Sequence, residues 1–119
     1  MRILVVDDDQ ALNRLICLFL ERHGFQVVSA ADALQAMDHL EQHRDIGLAI
    51  VDLMLPLIDG IDLVRQMKAE AGRASLPVVM ISASTDEQKI DQSLRSGVGL
   101  FLNKPIDFDR LLALVQFST

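Results

Sequence analysis

The sequence predicts an α/β domain built on an open, five-stranded parallel sheet with helices on both faces. Three observations carry that reading. Short apolar, β-branched runs alternate five times with amphipathic segments at helical spacing. The joins between them are short and place Asp, Gly and Pro where caps and turns need them. The first run, Arg2 to Val6, is apolar without alternation, as a strand covered on both faces must be. Strands and helices in strict alternation imply right-handed crossovers between parallel neighbours.

Asp7-Asp8-Asp9 end the first strand, and Asp9 is placed to cap a helix whose stripe is Leu12, Leu15, Ile16, Phe19 and Leu20. Gly24 suits its C′ position. Gln26 to Ala30 is the second strand. Asp32 caps a helix running through Leu34, Met37 and Leu40, and Gly47 is expected to break the chain before a third strand over Leu48 to Val51. Pro56 to Gly60 is a loop, and Asp59 caps the helix carrying Leu63, Val64 and Met67, which stops near Gly72. Pro77 opens the fourth strand, Val78 to Ile81. After a loop over Ser82 to Thr85, residues 86–96 form a helix with a thin apolar face of Ile90 and Leu94. Leu100 to Leu102 is the fifth strand, Asn103-Lys104-Pro105 turn the chain, and Asp107 caps a last helix striped by Phe108, Leu111, Leu112 and Val115.

At 119 residues the chain is one domain, without internal repeat, low-complexity tract or linker. Its core is aliphatic: there are five Phe and no Tyr or Trp. A net charge of -6 argues against this domain gripping nucleic acid or an anionic membrane by itself. One cysteine, Cys17, excludes an internal disulfide and reads as a small filler. No apolar run approaches a membrane span, and no leader-like segment opens the chain, so a cytoplasmic location is expected. His23, His39 and His43 fall on polar helix ends or faces and read as solvated rather than as ligands. Leu114 and Phe117 lie off the stripe of the last helix and read as an exposed apolar pair, fit for a partner, a dimer mate or a downstream segment of a longer protein. A frayed terminus is the plainer alternative.

In an open parallel sheet, ligands bind at the carboxyl ends of the strands. Those ends carry Asp7 and Asp8, Asp52, Ser82 and Lys104. Three carboxylates together repel, and a hard divalent cation removes the difficulty; oxygen-only ligands favour Mg²⁺ or Mn²⁺ over zinc. Asp52 is then the candidate nucleophile for a phosphoryl group, Lys104 a compact charge for a phosphoryl oxygen, and Ser82 a hydroxyl donor. Phosphoryl transfer asks mainly for positioning and charge neutralisation, which these few groups supply.

Four stretches, Ile3-Leu4-Val5-Val6-Asp7-Asp8-Asp9, Val51-Asp52-Leu53-Met54-Leu55-Pro56 with Asp59-Gly60, Pro77-Val78-Val79-Met80-Ile81-Ser82-Ala83, and Lys104-Pro105, resemble the receiver domains of two-component response regulators across almost the whole chain. The resemblance implies a CheY-like, flavodoxin-like (βα)5 three-layer sandwich with strand order 2-1-3-4-5. It implies a bacterial phosphorelay switch that takes a phosphoryl group onto Asp52 from a histidine kinase or phosphotransfer protein. It makes Asp8 a direct metal ligand, Asp7 the acid that holds a metal-bound water, and the backbone carbonyl of Met54 the third protein ligand. Ser82 and Phe101 become the switch pair, and Lys104-Pro105 a cis bond. The state is expected to be read by a partner, a second copy or an output domain at the surface of the fourth helix, fifth strand and fifth helix. Such a module turns over no separate substrate.

Several positions depart from the commoner family pattern. Ser82 stands where Thr is frequent, Phe101 where Tyr is frequent, and Asn103 where many relatives carry an apolar or small residue. Met54 and Ser84 fall where relatives flank the path of the attacking water. Met cannot orient that water, so slow self-dephosphorylation is expected. Three rival readings remain: a flavin-binding flavodoxin, contradicted by three acids where a phosphate-cradling loop belongs; an aspartate-nucleophile phosphatase, which lacks its second Asp at 54; and a non-phosphorylated pseudo-receiver that serves only for docking.

Overall fold

The computed structural model describes residues 1–83 and 86–118. Among them lie β1 (Arg2–Val6), α1 (Gln10–Arg22), β2 (Gln26–Ala30), α2 (Ala33–Gln42), β3 (Ile46–Asp52), α3 (Gly60–Ala69), β4 (Val78–Ser82), α4 (Glu87–Arg95), β5 (Leu100–Asn103) and α5 (Phe108–Ser118). All strand pairs are parallel, in the order β2-β1-β3-β4-β5. The predicted fold class and strand order are therefore observed.

Two apolar clusters cover the two faces of the sheet. One joins Leu4, Val6, Ala49, Val51 and Met80 to α2 and α3. The other joins Ile3, Val5, Leu48, Ile50, Val79 and Ile81 to α1 and α5. Alternate residues of each strand serve opposite faces, and because both faces are covered the strands read as unbroken apolar runs. The four predicted caps form as well: Asp9, Asp32, Asp59 and Asp107 each accept a backbone N–H of the first helical turn. Asp86, read as the first residue of its helix, caps it in the same way.

The structure corrects the sequence reading in detail. Gly47 does not precede β3 but lies within it. The register of β1 against β3 shifts there, and the Met1 side chain occupies the space a β-carbon at 47 would need, with Cγ 2.6 Å from that position. Leu15, Leu34 and Leu94 are exposed, although each lies on a predicted stripe. On α1 the buried face is Asn13, Ile16 and Leu20, and on α4 the buried residue is Ser93. Leu114 packs against the α1/α5 cluster, so only Phe117 of the supposed exposed pair stands in solvent.

Arg73, in the connection between α3 and β4, is buried and forms no ion pair with a carboxylate among the described residues. Its guanidinium donates to the carbonyls of Leu40 (2.9 Å), His43 (2.9 Å) and Ile46 (2.7 Å). The last carbonyls of a helix have no partner within it. Arg73 supplies one, and ties the end of α2 to the start of β3. Arg73→Met should therefore destabilise the fold by roughly 2–4 kcal/mol in urea unfolding, and Arg73→Lys should recover less than half of that, because an ammonium cannot span three carbonyls in the guanidinium's plane.

Candidate functional site

The carboxyl edge of the sheet gathers the groups singled out above. β1 delivers Asp7 at its end, β3 ends on Asp52, β4 on Ser82, and Lys104 follows β5 directly. Asp7, Asp52 and Ser82 are buried and Asp8 is exposed. One carboxylate oxygen from each of Asp7, Asp8 and Asp52 lies within 4.8 Å of the others. This spacing suits a single cation, and the all-oxygen donor set suits a hard one.

Lys104 closes the cluster from the β5 side. Its ammonium donates to Asp52 Oδ2 at 2.9 Å and stands 3.4 Å from Asp7 Oδ2. The Lys104 backbone N–H donates to the Ser82 carbonyl at 2.8 Å, which fixes where the side chain starts. The Lys104-Pro105 peptide is cis, as the resemblance implies. Burial works against the Lys104 charge, but the hydrogen bond and charge of Asp52, then the charge of Asp7, hold its pKa above the ordinary lysine value. For Asp7, burial dominates, and the Asp52 charge adds to it; together they outweigh the Asp9 amide and Lys104 and push the carboxyl up to about 6. Asp7 Oδ1 accepts from the Asp9 N–H at 2.9 Å, whereas Asp7 Oδ2 has no hydrogen-bond partner. A buried carboxylate oxygen among acids, ion-paired with one ammonium at 3.4 Å, fits the edge of a hard-cation shell.

The second Asp52 oxygen, Oδ1, accepts from the Met54 N–H at 3.0 Å. Asp52 is thus held at both oxygens, by its own turn and by Lys104. Behind it the chain is packed tightly. Leu53 N–H donates to the Ile81 carbonyl (2.9 Å), and Gly60 N–H to the Leu53 carbonyl (2.8 Å). A β-carbon at Gly60 would collide with the Asp52 carbonyl oxygen and the Leu53 α-carbon. Glycine is required here because the first turn of α3 rests on the backbone that carries Asp52. The loop between them turns sharply: Leu57 has φ of 71°, and Ile58 N–H donates to the Pro56 carbonyl at 2.8 Å, a γ-turn with a leucine fully in solvent.

The sequence reading missed Asn13. It is buried on α1, and its amide donates to the carbonyls of Asp7 and Ala30, each at 3.0 Å. It thereby pins the end of β1 to the end of β2 below the acid cluster. Cys17, half-buried, donates to the Asn13 Oδ1 at 3.4 Å, and burial pushes its thiol up to about 11, so it is a filler and not a reactive group. The available signal was an amide one turn after the Asp9 cap, in step with Ile16 and Leu20. Phe101 sits midway along β5 opposite Met80, half-buried against the α2/α3 cluster. The Met54 side chain is mostly exposed beside Asp52. Ser84 lies outside the described residues.

The geometry agrees with what known proteins indicate. The family profile described as "response regulator receiver domain" matches residues 3–116. The DNA-binding response regulator MtrA of Mycobacterium tuberculosis is 36% identical over 115 residues, 97% of this chain and 49% of MtrA. RpaA of Synechocystis, described as a DNA-binding dual master transcriptional regulator, is 34% identical over 115 residues, 97% of this chain and 47% of RpaA. The chain thus spans about half the length of the curated relatives it matches. Among solved structures, a response regulator receiver protein from Pseudomonas putida superposes with a TM-score of 0.92 at 35% identity, covering 98% of this chain and 95% of that one. The chemotaxis response regulator CheY4 of Vibrio cholerae, at 24% identity, shares the fold with a TM-score of 0.91 over 99% of this chain and 98% of its own. With a profile match over nearly its full length and a shared sheet order, the chain belongs to the receiver domain family of two-component response regulators.

Proposed function

We propose that Asp52 is the phospho-acceptor of a signalling switch comprising residues 1–119. The donor is a phosphohistidine of a histidine kinase or phosphotransfer protein. The observation that carries this reading is the joint placement of a buried Asp52, a three-acid, all-oxygen cluster and Lys104 at one sheet edge. A carboxylate oxygen of Asp52 forms a bond to phosphorus as the N–P bond of the donor breaks, and the electron pair leaves with the imidazole. Asp8, Asp52 and the Met54 carbonyl would hold Mg²⁺, with Mn²⁺ as a substitute, and Asp7 would hold a water of its shell. Bound there, the ion neutralises the phosphoryl oxygens. Lys104 is already poised between two carboxylates and would pass to a phosphoryl oxygen, and Ser82 offers its hydroxyl to another.

The new charge draws Ser82 and Lys104 toward it, and Phe101, half-buried on β5, repacks in response. The state would then be read at the α4–β5–α5 surface by an output domain, a partner protein or a second copy. A domain of net charge -6 favours protein contacts there over direct contact with nucleic acid. The domain catalyses its own phosphorylation and slow dephosphorylation without turning over a separate substrate, and it works in the cytoplasm. Among the described residues, no helix is long and apolar enough to cross a membrane.

Incubation with acetyl phosphate and Mg²⁺ should add the mass of one phosphoryl group, lost in Asp52→Asn and in excess chelator. An unmodified wild-type chain would instead favour a docking module that is never phosphorylated. Met54→Asn should shorten the half-life of the aspartyl phosphate several-fold, since an amide beside Asp52 orients water that Met cannot; an unchanged half-life would refute that role. A third outcome follows from Asp7. Its folded-state pKa of about 6 lies above its ordinary 3.8, so its contribution to stability is present below pH 4 and is lost as pH rises through 6. In chelator, Asp7→Asn should therefore gain about 1 kcal/mol on wild type between pH 5 and pH 7.5. Saturating Mg²⁺ should reverse that advantage in thermal melts.

A further inference from the structure

Among the described residues, two buried side-chain polar atoms have no hydrogen-bond partner. One, Asp7 Oδ2, belongs to the acid cluster. The other is His39 Nδ1. The sequence reading treats His39 as a solvated helix residue, but the structure places it half-buried. Its Nε2 lies 2.9 Å from the Ser29 carbonyl oxygen. A carbonyl only accepts, so Nε2 carries the hydrogen, and Nδ1 is the ring nitrogen without a partner. A ring nitrogen fixed as a donor to a backbone carbonyl, with the other nitrogen bare, is the arrangement by which proteins orient a metal-binding histidine.

A second imidazole stands beside it. His43, the C-cap of α2, lies one helical turn on, with ring centroids 5.8 Å apart and planes inclined by 30°. Two imidazoles sharing one tetrahedral ion at Zn–N distances of about 2.0–2.1 Å have centroids roughly 5–6 Å apart. The observed separation needs little adjustment. The Arg73 guanidinium donates to the His43 carbonyl at 2.9 Å and fixes the backbone of the second ligand. A buried orphan nitrogen calls for an explanation, and a second imidazole with its centroid 5.8 Å away offers one.

We propose that His39 Nδ1 and His43 form a two-imidazole site for a divalent transition-metal ion of the Zn²⁺ and Ni²⁺ class, with water completing the shell. Nitrogen donors select these ions over Mg²⁺, so the site is chemically separate from the acid cluster. Only two protein ligands hold the ion, which makes the site exchangeable rather than structural. Occupied, it would clamp the last turn of α2 against edge strand β2 through the His39–Ser29 bond.

The test is titration of the full chain with Zn²⁺, and separately with Ni²⁺, by calorimetry in excess Mg²⁺, while imidazole resonances are followed by NMR. One ion per chain is expected, with His39 and His43 signals shifted by Zn²⁺ and broadened by Ni²⁺. His43→Ala and His39→Gln should each weaken uptake about tenfold or more, whereas His23→Ala and Asp8→Asn should leave it unchanged. His43→Ala keeps the His39–Ser29 bond, so loss of uptake there cannot be attributed to a lost edge contact. No uptake in excess Mg²⁺, or uptake that survives His43→Ala and disappears in Asp8→Asn, would overturn the proposal.

Discussion

Two carboxylates buried at the end of a parallel sheet need a positive charge between them, and Lys104 is that charge. Its ammonium lies within 3.4 Å of both Asp7 and Asp52. In a low-dielectric setting such a pair repels strongly, and the unfavourable position of Asp7 is visible in its raised pKa even with the lysine present. The rest of the edge is arranged around this. The strands end where the charges begin, and the backbone of Lys104 is tied to Ser82 so that the side chain reaches inward. The cluster is under-neutralised on purpose, in the sense that three acids face one lysine. That imbalance suits the edge to a hard cation.

The support for this edge is polar as well as apolar. Asn13 spends its amide on two strand-end carbonyls, and Arg73 spends its guanidinium on three carbonyls at the opposite connection. Neither residue is paired with a charge. Both satisfy backbone groups that α/β connections leave open, at places where chain segments distant in sequence meet. The apolar clusters set the sheet's position between its helices. These two side chains set how the ends of its strands stand relative to one another.

The fold was legible in the sequence because its signals are local: five apolar runs, four Asp caps and glycines at helix ends. The candidate site was legible for a related reason. In a parallel sheet the residue after each strand is delivered to the same edge, so reading Asp7, Asp8, Asp52, Ser82 and Lys104 off the strand ends amounts to reading the site. What escaped notice depends on long-range packing. Periodicity identified α1, α2 and α4 as helices but not the angular centre of each buried face, which is why Leu15, Leu34 and Leu94 are exposed while Asn13 and Ser93 are covered. An amide is drawn inward only because two carbonyls wait for it, and those carbonyls come from strands that the helix itself does not contain. Gly47 reads locally as a breaker, yet the side chain of Met1, far away in sequence, makes it part of a strand. Arg73 and His39 bond to backbone oxygens, which leave no trace in residue identity.

Gly60 sets a limit on how this domain can diversify. With the first turn of α3 resting directly on the Asp52 peptide, no larger residue fits without moving Asp52, so the joint between strand and helix is closed to change. The loop before it is not. Leu57 points wholly into solvent on a γ-turn a few residues from Asp52, and its identity costs the core nothing. Variation among copies of such a domain can therefore accumulate beside the buried Asp52 carboxylate while the joint behind it stays fixed. A surface that changes freely next to a backbone that does not is where otherwise similar domains can come to differ.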